Sequence, residues 1–359
     1  MKRNRLHIAI ATAVALGCTL TACTQDNDTA VTDGEHRTPI SFNVGIGSAA
    51  TSDATTRGCT TTQDRSGYTF AGTDVVAVSL CGVSGSSRAV GESNADTKLY
   101  TVAAGAGSRS LSYTGYGFDW MGSSEKVSVR AWGFGDNTTT NTDPNGATFE
   151  IETSQNTSST HELLYSPAAT YSKSNSISIP LYHQLSRIVV NIKNEVSATI
   201  TDVKIGKNNL PKMAEFSRPG GDAFNTWTYN ATSEKYENSS SVDRDDDKET
   251  NLYGSWNNYG DKNQSITPKE WTTDIPTGFN KSYSAVIIPD TYAANTEFID
   301  ITLSGITTHY IHKLKSATTF KPGHQYTFSI TVLNEVNFQV TVDVTAWDTT
   351  NGPNETWNF

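Results

Sequence analysis

Five groups of residues have types and spacings that invite a chemical reading. His161-Glu162 opens like the helix of a zinc protease, which needs a second histidine four residues after the first; Tyr165 stands there. Gly82-Val83-Ser84-Gly85 misses the spacing of a nucleophile elbow, and no strand-to-helix unit surrounds it. Gly45-Ile46-Gly47 ends a strand-like run without the strand–helix–strand context of a dinucleotide site. Asp243, Asp245 and Asp247 alternate like the first ligands of a calcium loop, but Lys248 occupies the position of the obligatory glycine and Gly254 that of the closing glutamate. His309 and His312 lie three apart in a strand-like run, which sends them to opposite faces. Each pattern lacks something its chemistry requires. No catalytic residues, metal or cofactor are expected.

The four cysteines point elsewhere. Lys2, Arg3 and Arg5 precede a short apolar run over residues 6–20, and Leu20-Thr21-Ala22 places small residues before Cys23. That is the layout of a secretory signal, too short for a comfortable membrane span. Leu-Thr-Ala-Cys resembles the lipobox of bacterial lipoproteins, which implies removal of residues 1–22 and lipidation of Cys23 as the new first residue. Acyl chains contribute about 0.8 kcal/mol per buried methylene, so several anchor far better than one. Cys18 is discarded with the signal. Asp26 and Asp28 resemble the acidic export signal of surface lipoproteins and imply the outer face of an outer membrane. Cys59 and Cys81 remain. They either pair, closing a loop that contributes about 3 kcal/mol, or persist as separate thiols; spacing leaves both open.

Composition narrows the partners. The signal carries three bases and no acid, so the mature chain has 27 − 3 = 24 bases against 37 acids, a net charge of −13. Such a chain has no electrostatic claim on nucleic acid. About 337 mature residues suggest two domains. Fifteen Tyr, 13 Phe and 7 Trp are a generous aromatic content, suited to β-structure.

The elements that must organise these residues are strands. After a polar tether over residues 23–37, "ISFNVGI" (40–46) alternates apolar and polar residues. The same period returns in "VVAVSL" (75–80), "VSVRAW" (127–132), "RIVVNI" (187–192), "SAVII" (284–288), "FIDITL" (298–303), "YTFSITV" (326–332) and "FQVTVDV" (338–344). No stretch of about 12 residues holds a 3.6-residue apolar stripe. Short strands separated by Gly, Pro and Asn predict an all-β protein of two tandem β-sandwich domains, residues 38–195 and 196–359. Pro322-Gly323 predicts a turn before the 326–332 strand. His183 is expected in the core, hydrogen-bonded.

Several segments, in order, resemble the fimbrillin family, the subunits of type V pili. They are "FAGTDVVAV" (70–78), "HELLYSPA" (161–168), "IPLYHQLSRIVVNI" (179–192), "SAVIIPD" (284–290), "FKPGHQYTFSITV" (320–332) and "VDVTAW" (342–347). His161-Glu162 departs from the Ser-Asp commoner in the family. The resemblance implies transthyretin-like sandwiches, export as a lipoprotein to the outer-membrane surface, and assembly into a fimbrium with other pilus subunits. It further implies that an arginine-specific surface protease cuts after an arginine beyond the first strand. Arg57 suits this, in a small-residue loop that leaves Gly58 as the new terminus; Arg65 is the competing position. The first strand, with Ile40, Phe42, Val44 and Ile46 on one face, then leaves, and a neighbour's C-terminal strand replaces it. Trp357 and Phe359 are donor candidates, although Pro353 interrupts a ladder. The result is adhesion to a host or bacterial surface ligand. The alternative is a lipid-anchored adhesin or glycan-binding lipoprotein that never polymerises.

Overall fold

The computed structural model describes residues 37–46, 70–105, 107–134, 139–156, 162–220, 222–273, 275–305, 309–334, 337–346 and 355–357. The all-β expectation holds: beyond one α-helical turn at Lys248–Asn251 and two 3-10 turns, every described element is a strand.

Seven strands form the first half. They are β1 (Phe42–Ile46), β2 (Val75–Gly82), β3 (Asp96–Val102), β4 (Arg109–Ser112), β5 (Lys126–Gly133), β6 (Leu164–Ser172) and β7 (Ile177–His183). Their order is β7-β1-β4-β3-β2-β5-β6, and β6 also pairs with β7, so the sandwich closes into a ring. An odd number of strands cannot alternate direction all the way round; one neighbouring pair must run parallel. That pair is β1 and β7, matched from Phe42↔Ile177 to Ile46↔Leu181. Inside the ring Phe42, Val44, Val76, Val78, Val127, Val129, Ile177 and Ile179 pack together with Trp120 and Trp132. Every second residue points inward, as the strand period requires.

The second core lies between two sheets. One is ordered β11-β12-β8-β15-β16-β17, from Lys269–Trp271, Lys281–Ile287, Ser186–Asn194, His324–Asn334, Asn337–Ala346 and Glu355–Trp357. The other is β10-β9-β13-β14, from Lys262–Ile266, Ile200–Pro211, Glu297–Leu303 and Tyr310–Lys313. Tyr326, Phe328, Ile330 and Val332 fill this core from β15, facing Ile299, Ile301 and Leu303. The turn before β15 needs its glycine. Gly323 has φ +67°, and a Cβ there would lie 2.4 Å from the Tyr253 ring.

By its sequence position β8 falls within the expected first domain, residues 38–195, but Ile188, Val190 and Ile192 pack in the second core. Ala214, Phe216, Trp227 and Trp256, from beyond residue 196, return to the first. Strand β12 serves both: Val286 packs into the first core while Ala285 and Ile287 pack into the second. The Gln155 side chain anchors it there, donating to the Val286 carbonyl and accepting from its N–H, each at 2.9 Å.

Candidate assembly site

The feature that sets this molecule apart from a plain sandwich is the position of β1. Ile40, Phe42, Val44 and Ile46 are all buried, at 6, 1, 0 and 3 % exposure. The strand has no sequence neighbour in its sheet. β7 flanks it on one side and β4 on the other, through Asn43↔Ser110 and Val44↔Arg109. The Ile177 N–H donates to the Ser41 carbonyl, and the Asn43 amide donates to Ser176 Oγ, both at 2.9 Å. Side-chain burial of about 1.5–3 kcal/mol each gives about 6–12 kcal/mol for the four inward residues. Taking β1 away would uncover that surface and leave the facing edges of β7 and β4 with unpaired backbone groups, which seek a replacement strand.

A loop closes the N-terminal end of this groove. The Ile40 N–H donates to the Phe118 carbonyl at 2.7 Å, and Thr38 and Pro39 pair with Trp120 and Asp119. Phe42 stands edge-on to Tyr100, with centroids 5.5 Å apart, and to Phe118 at 6.2 Å. Tyr113 leans on Tyr100 at 5.2 Å. Lys98 pins the loop by donating to the carbonyls of Tyr116 and Gly117, each at 2.8 Å, with its ammonium 4.8 Å from the Phe118 ring centre. Arg88 ties down the far end through the Asp119 carbonyl at 2.6 Å. Phe42 therefore sits in an aromatic box whose walls are held independently of it.

The sequence matches the fimbrillin-like family over residues 56–347, most of the chain. The protein is a member of the fimbrillin-like family. That family is one of structural and adhesion proteins rather than enzymes. No curated protein matches the sequence. Among solved structures, a candidate cell adhesion protein from Bacteroides ovatus shares the fold, with a TM-score of 0.53 and 13% identity over 88% of this chain and 100% of the other. A candidate cell adhesion protein from Bacteroides uniformis gives a TM-score of 0.49 at 14% identity, over 88% and 99% of the two chains. The tip fimbrial protein Mfa3 from Porphyromonas gingivalis gives 0.42 at 8% identity, over 86% and 99%.

In this fimbrillin-like chain the expected site residues divide sharply. The structure brings Ile40, Phe42, Val44 and Ile46 together on one buried face, as the alternation requires. Cys23, Arg57, Gly58, Cys59, Arg65 and Phe359 lie outside the described residues. Cys81 is a free thiol, fully buried in β2, and burial pushes its pKa up. Trp357 lies in β17, paired with Val342, so in this chain the tail folds back on its own sheet. Of the aspartates that alternate like a calcium loop, Asp245 and Asp247 fall in a 3-10 turn, while Asp243 just before it pairs with Lys235 at 2.6 Å. Among the described residues no cluster of three or more metal-ligating side chains occurs. His309 is exposed and bonds Asp300 at 2.9 Å, while His312 is buried against Phe328, on opposite faces as expected.

Two buried polar groups of the fimbrillin-like chain hold the ring in shape. His183 pairs through Nδ1 with Glu162, joining two of the segments that carry the resemblance. Arg130, 1 % exposed, is the other. It binds Glu92 at 2.9 Å, Asp222 at 3.1 Å and Asp143 at 3.2 Å, and stacks 4.4 Å from the Phe224 ring. Burial alone would lower its pKa, but Glu92 and the other acidic neighbours push it higher still, so the guanidinium stays charged. Tyr165 adds a hydrogen bond to Asp222 at 2.7 Å. Arg130 looks like any strand residue in "VSVRAW"; its acids come from distant loops. Only an arginine amid a run of small apolar residues could have signalled it.

Proposed function

We propose that this protein is a structural subunit, in stalk or tip, of a type V fimbria that mediates adhesion. Cys23 carries the lipid for export to the outer-membrane surface. An arginine-specific surface protease cuts after Arg57, leaving Gly58 first, and β1 departs. A donor strand from a neighbouring subunit then enters the vacated groove, and successive exchanges build the filament. The observation that carries this reading is β1 itself: a strand close to the N-terminus that completes a ring whose other members all lie beyond residue 70. The family match begins at residue 56, one residue before Arg57, and so leaves β1 outside it.

A second reading, a lipid-anchored adhesin that keeps β1 and stays monomeric, is favoured by one observation. The tail strand β17 already has a partner within its own chain. Replacing Arg57 by alanine on the cell surface separates the two. The strand-exchange reading expects the Arg57→Ala chain to retain β1 and run as a monomer in unboiled detergent gels. An Arg65→Ala chain should still give a heat-labile ladder. A ladder from Arg57→Ala, with Arg65→Ala alone blocked, moves the cleavage to Arg65; no ladder from the unaltered chain sinks polymerisation.

A further inference from the structure

A three-stranded sheet apart from β1 is ordered Ser255–Asn257, Met213–Ser217, Thr148–Glu150, which makes Thr148–Glu150 an edge strand. Phe149, Ala214, Phe216 and Trp256 anchor this sheet in the first core. The Phe216 N–H donates to the Ala147 carbonyl at 3.0 Å, and the Ile151 N–H to the Lys212 carbonyl at 2.8 Å. Residues 147, 149 and 151 therefore turn their main chain towards the Met213–Ser217 strand. By alternation the N–H and C=O groups of Thr148 and Glu150 point the other way. Among the described residues no strand pairs with them on that side. Proteins usually blunt such an edge with a bulge, a proline or a covering segment.

Here a cavity of about 190 Å³ lies along the edge instead. Phe134, Phe149, Leu163 and Phe216 make its walls, and the exposed Ala147 and Glu150 mark its mouth. The walls brace one another: ring centres lie 6.2 Å apart for Phe134 and Phe149, 5.7 Å for Phe149 and Trp256, and 5.3 Å for Phe216 and Trp256. The turn leading into the strand is fixed as well. The Ala147 N–H donates to the Pro144 carbonyl at 2.9 Å, and the Arg218 N–H to Asn145 Oδ1 at 3.0 Å. An apolar cavity of roughly 150 Å³ accepts benzene, so this one has room for a single aromatic side chain. Its aromatic walls offer a sugar or a phosphate no hydrogen bond.

The mouth adds two further conditions. Its unpaired main-chain groups are spaced to pair with a strand. Glu150 is joined to Lys212, and Glu152 lies within electrostatic reach of the same ammonium, so two carboxylates share one cation. The residue opposite Phe149 in a ladder would share its face, while the residues on either side would stand beside Thr148 and Glu150. An aromatic residue with lysine or arginine next to it meets both conditions.

We infer that the edge strand Thr148–Glu150 and the cavity beside it form a peptide-docking site. Its occupant is an extended segment of a partner protein that carries one aromatic side chain flanked by basic residues. The segment pairs with the main chain of Thr148 and Glu150, its ring enters the cavity, and its positive charge meets the excess of carboxylate. Ladder bonds supply affinity and the ring supplies selectivity. The edge lies in a different sheet from β1, so docking here is independent of strand exchange.

Fluorescence anisotropy with the full chain and a labelled peptide, Thr-Thr-Lys-Phe-Lys-Thr-Thr, tests it. Binding should saturate, and replacing the peptide's phenylalanine by alanine should weaken it about 30-fold. Methylating the main-chain nitrogens of both lysines, which removes the donors of an antiparallel ladder, should weaken it at least as much as losing the ring. Ala147→Trp fills the mouth from an exposed position and should abolish binding without disturbing the core. Glu150→Lys should weaken binding about threefold, a difference that added salt erases. No saturation below about 1 mM, or equal binding by the alanine peptide, overturns the site. Equal binding by the methylated peptide leaves a cavity for rings alone and overturns docking by the edge. Self-association of the chain that Ala147→Trp abolishes would assign the edge to a second copy and overturn the partner.

Discussion

Shortening Phe42 to alanine should destabilise the unprocessed chain by about 3–5 kcal/mol, the usual cost of truncating a buried phenylalanine. The ring is 1 % exposed and stands edge-on to both Tyr100 and Phe118. Tyr100 is fixed in β3, and Lys98 and Arg88 hold the loop that carries Phe118, so these walls cannot collapse into the space Phe42 leaves. The cavity term should therefore persist and put the loss in the upper part of the range. Each edge-to-face contact adds about 0.5–1.5 kcal/mol, and a double-mutant cycle with Phe118→Ala should return a coupling of that size. Urea unfolding of the unprocessed chain, followed by the fluorescence of the buried Trp120 and Trp132, measures both quantities. A loss below about 1 kcal/mol, with no coupling to Phe118, would show that β1 is a loosely held strap rather than a member of the ring.

Three further outcomes follow from other parts of the molecule. Arg130→Met should cost about 3–5 kcal/mol, because it strands the fully buried Asp222 carboxylate without its ion pair; unchanged urea unfolding would contradict this. Burial, with a lesser effect from Lys315, holds His312 down to about 4 against an ordinary 6.5. As pH falls from 6.5 towards 4 the unfolded chain takes up a proton that the folded chain refuses, so stability should drop by up to about 3 kcal/mol. His312→Leu should flatten that part of the pH–stability profile, and an unaltered slope would refute the assignment. Cys81 should react with iodoacetamide only after unfolding, without reductant; labelling only after reduction would reveal a bond to Cys59 instead.

Much of the fold is visible in the local pattern, and the rest depends on contacts that no local pattern encodes. Phe42, Val44 and Ile46, like Tyr326, Phe328, Ile330 and Val332, announce strands and their inward faces by a period of two. The partner of such a strand is another matter. β1 and β7 are more than 130 residues apart, so neither the parallel pairing nor the closure of the ring is visible in either segment. The division of the cores eludes sequence for a related reason. Val286 and Ile287 are neighbours on one strand and serve different cores, so β12 reads the same whichever core it joins. Arg130 and the aromatic box share this limit: their partners arrive from loops whose turns and tyrosines carry no period. The proposed cleavage at Arg57 and lipidation at Cys23 rest on a different kind of signal, a short local motif, and both residues lie outside the described ones.

Mass spectrometry of the N-terminus of protein sheared from intact cells, alongside denaturing but unboiled gels, tests the central claim most directly. Strand exchange predicts a chain that begins at Gly58 and runs within a heat-labile ladder. A chain that begins at acylated Cys23 and runs only as a monomer would contradict it.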